Sequence, residues 1–166
     1  MTRAKENTVR IQWFMAVALL CGVAHAGSHK LQPSQALPVY AQECAACHLA
    51  YPPALLPAES WARVMAGLSR HYGTDASLEP GQVQAIGRWL QSEAGTGKKW
   101  GMAPTQDRIT RSDWFVREHR KVAPEVWRLP GVQSPAQCGA CHTRADQGSF
   151  GERELRRPVG MKGGFQ

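Results

Sequence analysis

Cys44-Ala45-Ala46-Cys47-His48 and Cys138-Gly139-Ala140-Cys141-His142 repeat one spacing, two thiols three residues apart with an imidazole directly after. That spacing suits covalent capture of a haem. The two sulfurs reach the two vinyl groups of one porphyrin, and the next residue offers a nitrogen to its iron. Cys44, Cys47, Cys138 and Cys141 are therefore the expected thioether residues, and His48 and His142 the expected first axial ligands. Two other chemistries use paired cysteines. A redox dithiol of the thioredoxin kind needs a strand feeding the motif, and neither Val39-Tyr40-Ala41 nor Pro135-Ala136-Gln137 offers a β-rich run. A zinc site built from the four cysteines has the right ligand count, but it leaves both following histidines without a role.

The second axial position decides whether an iron passes electrons or meets a substrate. Beyond the motifs and the first 26 residues, the chain offers His29, His71 and His119 as imidazoles and Met65, Met102 and Met161 as thioethers. His71 and His119 fall on predicted helices beside large apolar residues, where an unpaired imidazole is poorly accommodated; they are the expected distal ligands. Met65 reads as core, His29 sits in a tail expected to be mobile, and Met102 in Gly101-Met102-Ala103-Pro104 is the best thioether alternative. His48 to His71 and His119 to His142 both span 23 residues, whereas crossed pairing would close intervals of 71. Loop-closure entropy favours local pairing by only about 1 kcal/mol per closure. Local pairing is the expectation. An iron held between two imidazoles is six-coordinate and low-spin, has no open position, and has a lower potential than one held by His and Met.

The elements that must hold these groups are short and helical. One helix is predicted from about Pro38 into Cys47, with Tyr40 and Cys44 on one face by their i,i+4 spacing. Pro57 starts a second, whose stripe of Trp61, Val64, Met65 and Leu68 runs toward Gly73 and places His71 in its last turn. A third is predicted from Pro80 to about Glu93, stopped by Gly95, and a fourth from an N-cap at Ser112 through about Lys121, carrying Trp114, Phe115 and His119. Pro135 is expected to start the helix that delivers Cys138. Thr96–Arg111 shows no period and reads as an ordered loop, and the segment beyond Glu154 is expected to fray. Alternating strand patterns are absent. The fold class expected is mostly α, a small helical domain of cytochrome c type with long loops wrapped around two covalently bound haems.

Arg3, Lys5 and Arg10, the apolar stretch Ile11–Ala24 and then Ala24-His25-Ala26 read as a secretory signal peptide cleaved after Ala26. The predicted organisation is thus signal peptide 1–26 and one haem domain 27–166, exported to the periplasm, with no stable membrane insertion after cleavage. Cleavage removes Cys21, so every remaining cysteine belongs to a haem motif. The 140 residues left suffice for one domain and carry 17 basic against 12 acidic side chains. Four haem propionates nearly cancel that excess, so the basic composition does not indicate nucleic acid.

The residues also resemble a known family. Tyr40 and Glu43 before the first motif, Tyr51-Pro52-Pro53, Leu56-Pro57, Ser60-Trp61 and His71-Tyr72-Gly73 occur in the order seen in the dihaem cytochromes c of proteobacteria. Arg108-Ile109-Thr110, Trp114-Phe115, His119, the second motif, and Ala145 with Gly148 and Phe150 continue that order. The resemblance implies two bis-histidine haems close together, with His48 and His142 proximal and His71 and His119 distal. It further implies an electron carrier rather than an enzyme, receiving electrons from a membrane cytochrome b and passing them to a small monohaem cytochrome that binds oxygen or nitric oxide. The competing readings are a small dihaem peroxidase and a gas-sensing protein with one labile axial ligand; the short chain leaves little material for a substrate cavity.

Overall fold

The computed structural model describes residues 31–162. The leader, its cleavage site and His29 lie outside the described residues. Helix α1 (Pro38–Cys44) begins with proline at its first position, where the missing N–H costs nothing. Its Tyr40 is buried and donates to the Tyr51 carbonyl at 2.5 Å. Cys44 lies against the same core. The helix stops at Cys44 instead of continuing to Cys47, so the first motif leaves the helix in a turn that presents Cys47 and His48.

α2 (Ala58–Ala66) and α3 (Pro80–Ser92) pack on each other, and α3 packs on α1. Their inward faces supply Trp61, Ile86 and Leu90, which with Tyr40 and Leu56 form the core. The Trp61 indole donates to the Pro53 carbonyl at 2.7 Å, which fixes the chain entering α2. Glu79 and Gln82 form a capping box at the start of α3. Gly95 follows α3, and its N–H donates to the Leu56 carbonyl at 2.8 Å. A Cβ there would run into the Ala54 carbonyl and Trp100, so only glycine lets the chain cross at this point.

Several boundaries differ from expectation. α2 ends at Gly67, and a 3-10 turn over Leu68–Arg70 carries the chain to His71, which therefore lies past the helix. Glycine interrupts the helical ladder there even though the apolar stripe continues to Leu68. Thr96–Arg111 contains a short helix α4 (Gly97–Trp100) and two 3-10 turns, Thr105–Asp107 and Ile109–Arg111. α5 (Asp113–Glu118) starts as predicted, with the Ser112 hydroxyl accepting from Phe115 N–H at 3.1 Å, but it ends before Lys121, so His119 caps its C-terminus. Pro135 starts no α-helix; only a 3-10 turn forms at Cys138–Ala140. The Gln137 N–H is taken by Ser134 and the Cys138 N–H by Ala136, and Gly139 weakens helix propagation. The segment past Glu154 is held rather than frayed, at least as far as Arg156. Thr143 N–H donates to the Glu154 carbonyl at 3.0 Å and Arg156 N–H to the Cys141 carbonyl at 2.8 Å.

The fold class is as expected, mostly helical, with no strand among the described residues beyond isolated bridges at His71–Thr74 and His142–Leu155. Two seams join the first-motif and second-motif regions. The Tyr51 hydroxyl donates to the Ala136 carbonyl at 2.8 Å, two residues before Cys138. Leu31 N–H donates to the Gly148 carbonyl at 2.8 Å. Gly148 has φ 64°, and a Cβ there would lie 3.2 Å from the Leu31 carbonyl oxygen. No helix of the described residues is long and apolar enough to cross a membrane.

Candidate functional site

The four expected ligand histidines come together as two local pairs. The His48 and His71 ring centres are 6.1 Å apart with 26° between ring planes; those of His119 and His142 are also 6.1 Å apart, at 77°. Two metal–imidazole bonds of about 2 Å, with about 1 Å more from each ligating nitrogen to its ring centre, span roughly 6 Å. Each gap therefore matches one iron held between two imidazoles, which is the fit that a bis-histidine haem requires.

Hydrogen bonds select which nitrogen faces each gap. The His48 Nδ1 bonds to the Leu49 carbonyl at 2.7 Å and the His119 Nδ1 to the Phe115 carbonyl at 2.9 Å. A carbonyl only accepts, so these Nδ1 atoms carry the proton and leave Nε2 with its lone pair free. His142 is held differently. Its Nδ1 is buried without a partner, and the ring is positioned by Phe150, 5.4 Å away, and by the bridge to Leu155. Burial pushes the His142 imidazole down to about 4, with the neighbouring His119 adding to the effect. His71 is also lowered, by burial first and then by His48 and Arg108. Both rings are thereby neutral at pH 7, the form that can donate a lone pair to a metal.

The cysteines fit the same chemistry. Burial raises the Cys44 and Cys138 thiols to about 11 and Cys141 in the same direction. Such pockets suit an uncharged sulfur, which a thioether is, and oppose the thiolates that zinc demands. Nor do the four converge: among the described residues no three His, Cys, Asp or Glu side chains form a metal-holding cluster. All four described cysteines are free of disulfides. Met65 packs against the core as expected, whereas Met102, the thioether alternative, is 70 % exposed.

Aromatic rings surround both pairs. Tyr51 lies 4.9 Å from the His48 ring, and burial raises its hydroxyl to about 12, so it remains a donor to Ala136. Phe115 lies 4.0 Å from His119 and nearly parallel to it, with Trp127 5.9 Å from the same imidazole. Trp100 and Trp114 pair at 4.4 Å beneath the Lys99 ammonium. Charge is unevenly shared. Residues 31–110, which carry the first motif and the core packed against it, hold six basic and six acidic side chains; residues 111–162 hold ten and six. Sequence reasoning did not find the left-handed residues Tyr72, Gln106 and Asp107 near His71, because nothing in their types announces positive φ.

A strand-poor helical fold with two Cys-x-x-Cys-His motifs and two spaced imidazole pairs defines a c-type cytochrome with two haems. The chain belongs to the dihaem cytochrome c family, whose model matches residues 40–150. Solved structures of the same kind are similar to it. The diheme cytochrome c of Shewanella baltica OS155 is 35 % identical, with a TM-score of 0.63, over 70 % of this chain and 89 % of that one. The diheme cytochrome c of Rhodobacter sphaeroides is 38 % identical, also with a TM-score of 0.63, over 71 % of this chain and 99 % of that one. A second structure, of the protein purified from that organism, gives 39 % identity and a TM-score of 0.61 over 70 % and 98 %. No curated protein matches the chain. Membership of this family implies two covalently attached c-type haems.

Proposed function

We propose that this cytochrome is a periplasmic single-electron carrier and not an enzyme. Cys44 and Cys47 bind the first haem and Cys138 and Cys141 the second. His48 and His71 ligate the first iron, and His142 and His119 the second. Each bound haem supplies a one-electron ferric–ferrous couple. The observation that carries the reading is the pair of 6.1 Å gaps between imidazoles, each the size of one coordinated metal. The chain's own residues keep His71 and His142 neutral by burial, aim Nε2 inward at His48 and His119, and enclose the rings in aromatic side chains. A site whose ligands stay in place in both oxidation states needs little rearrangement when an electron arrives or leaves.

The donor we propose is a membrane cytochrome b, and the acceptor a small monohaem cytochrome with an open iron. The uneven charge supports two distinct partner surfaces, because two propionates per haem would leave the first-motif region net negative and the second net positive. Export would remove the leader after Ala26.

Spectroscopy of the mature protein tests the reading. Both irons are expected to be low-spin when oxidised, and the reduced spectrum to be unchanged by carbon monoxide. A high-spin fraction, or carbon monoxide binding at one haem, would favour the peroxidase or gas-sensor alternative. The intact mass would show two haems added to a chain beginning at Gly27.

A further inference from the structure

Of the four imidazoles, His71 alone sits on a left-handed turn. It follows the 3-10 turn Leu68–Arg70 and is succeeded by Tyr72 at φ 50° and Gly73 at φ 100°, which fold the chain back so that Thr74 N–H reaches the His71 carbonyl at 3.1 Å. A tyrosine in the left-handed region is unfavourable and persists only where its surroundings determine it. Among the described residues no hydrogen bond reaches the His71 ring, so the direction of that ring depends on how firmly the turn is held.

The turn is held by a second strained segment. Gln106 (φ 59°) and Asp107 (φ 52°) are also left-handed non-glycine residues, and their carbonyls accept from the Tyr72 hydroxyl at 3.2 and 2.9 Å. The Asp107 carboxylate takes both arms of the Arg63 guanidinium, at 2.9 and 2.7 Å, and so anchors the segment to α2. That bidentate pair holds Asp107 well below the usual carboxylate range. The Arg108 guanidinium covers the Tyr72 ring at 4.2 Å. Three of the four left-handed non-glycine residues described thus meet at one ligand. His119 has no such device, since its ring is tied to its own helix through Phe115.

We infer that Tyr72, Asp107 and Arg63 form a clasp that positions His71 as the distal ligand of the first haem, and that opening it frees that iron without disturbing the second. The inference rests on the bis-histidine reading given above. These are positioning residues. They act through the turn that carries His71.

Tyr72→Phe removes only the hydroxyl, and Asp107→Asn breaks the bidentate pair at a turn outside the core. In each variant, loaded with two haems, carbon monoxide added to the reduced protein is expected to bind at up to half of the haem, with a matching high-spin fraction when oxidised. A merely structural role would lower the melting temperature and leave both spectra low-spin and silent to carbon monoxide. That result overturns the clasp, as does carbon monoxide binding at both haems. Carbon monoxide binding by the unmutated protein would overturn the bis-histidine reading, and the clasp with it. Should neither variant mature, hydrogen exchange on the unmutated holoprotein decides: the peptide covering residues 68–76 should be as protected as α3, and exchange at free-chain rates would overturn the proposal.

Discussion

At the scale of single residues the two imidazole pairs differ in one respect that spectroscopy can read. The His48 and His71 planes lie 26° apart, whereas those of His119 and His142 lie 77° apart. Nearly parallel rings push electron density into the same iron d orbital and split it from its neighbour. Nearly crossed rings raise both orbitals together. The oxidised protein is therefore expected to give two low-spin EPR signals, one rhombic from the first site and one dominated by a single large g value from the second. A single shared signal would contradict the geometry. The residues that the structure gathers into the two imidazole pairs were legible in the sequence. The Cys-x-x-Cys-His repeats name six residues by type and spacing, and His71 and His119 were the imidazoles left beside apolar neighbours. What holds each ring was not legible. The Leu49 and Phe115 carbonyls are backbone atoms, and every residue type offers the same ones.

At the scale of elements, helix starts read better than helix ends, Pro135 being the start that announced a helix and gave only a 3-10 turn. Pro38, Pro57, Pro80 and Ser112 each stand at the start of the helix they announced. Ends depend on competition among weak local bonds. Gly67 stopped α2 while the apolar stripe ran on, and α5 gave up its last turn at His119. The segment after Glu154 misled for a related reason. Its glycine-rich tail suggests fraying, but the pairing of residues 154–156 with 141–143 is a long-range contact that local composition cannot show. The most consequential small element is α5, since it delivers both Phe115 and His119. Ser112→Ala removes its cap and should cost the holoprotein about 1 kcal/mol in chemical denaturation. Ser112→Asn, which can still accept from Phe115 N–H, should restore most of it. Equal loss in both variants would show that the Ser112 hydroxyl acts through its other bond, to the Ile109 carbonyl at 2.8 Å.

At the scale of the whole molecule the uneven charge has a kinetic consequence. The excess of four basic side chains lies within residues 111–162, around the second motif. A small anionic oxidant such as hexacyanoferrate should therefore react fastest at low salt through the net-positive second-motif region, and a cationic cobalt complex should do the same through the net-negative first-motif region, both slowing severalfold as ionic strength rises. Stopped-flow oxidation of the reduced protein measures both. Rates that do not change with salt for either oxidant would mean that the net charge is evenly spread at the sites of electron exit. The bond from Leu31 to Gly148 matters at this scale too, because it joins an early residue to one 117 positions later. Such a seam cannot close until nearly the whole polypeptide has emerged. Until then no bond joins the two ends of the described chain, so this end-to-end stitch forms only after both cysteine motifs have been made.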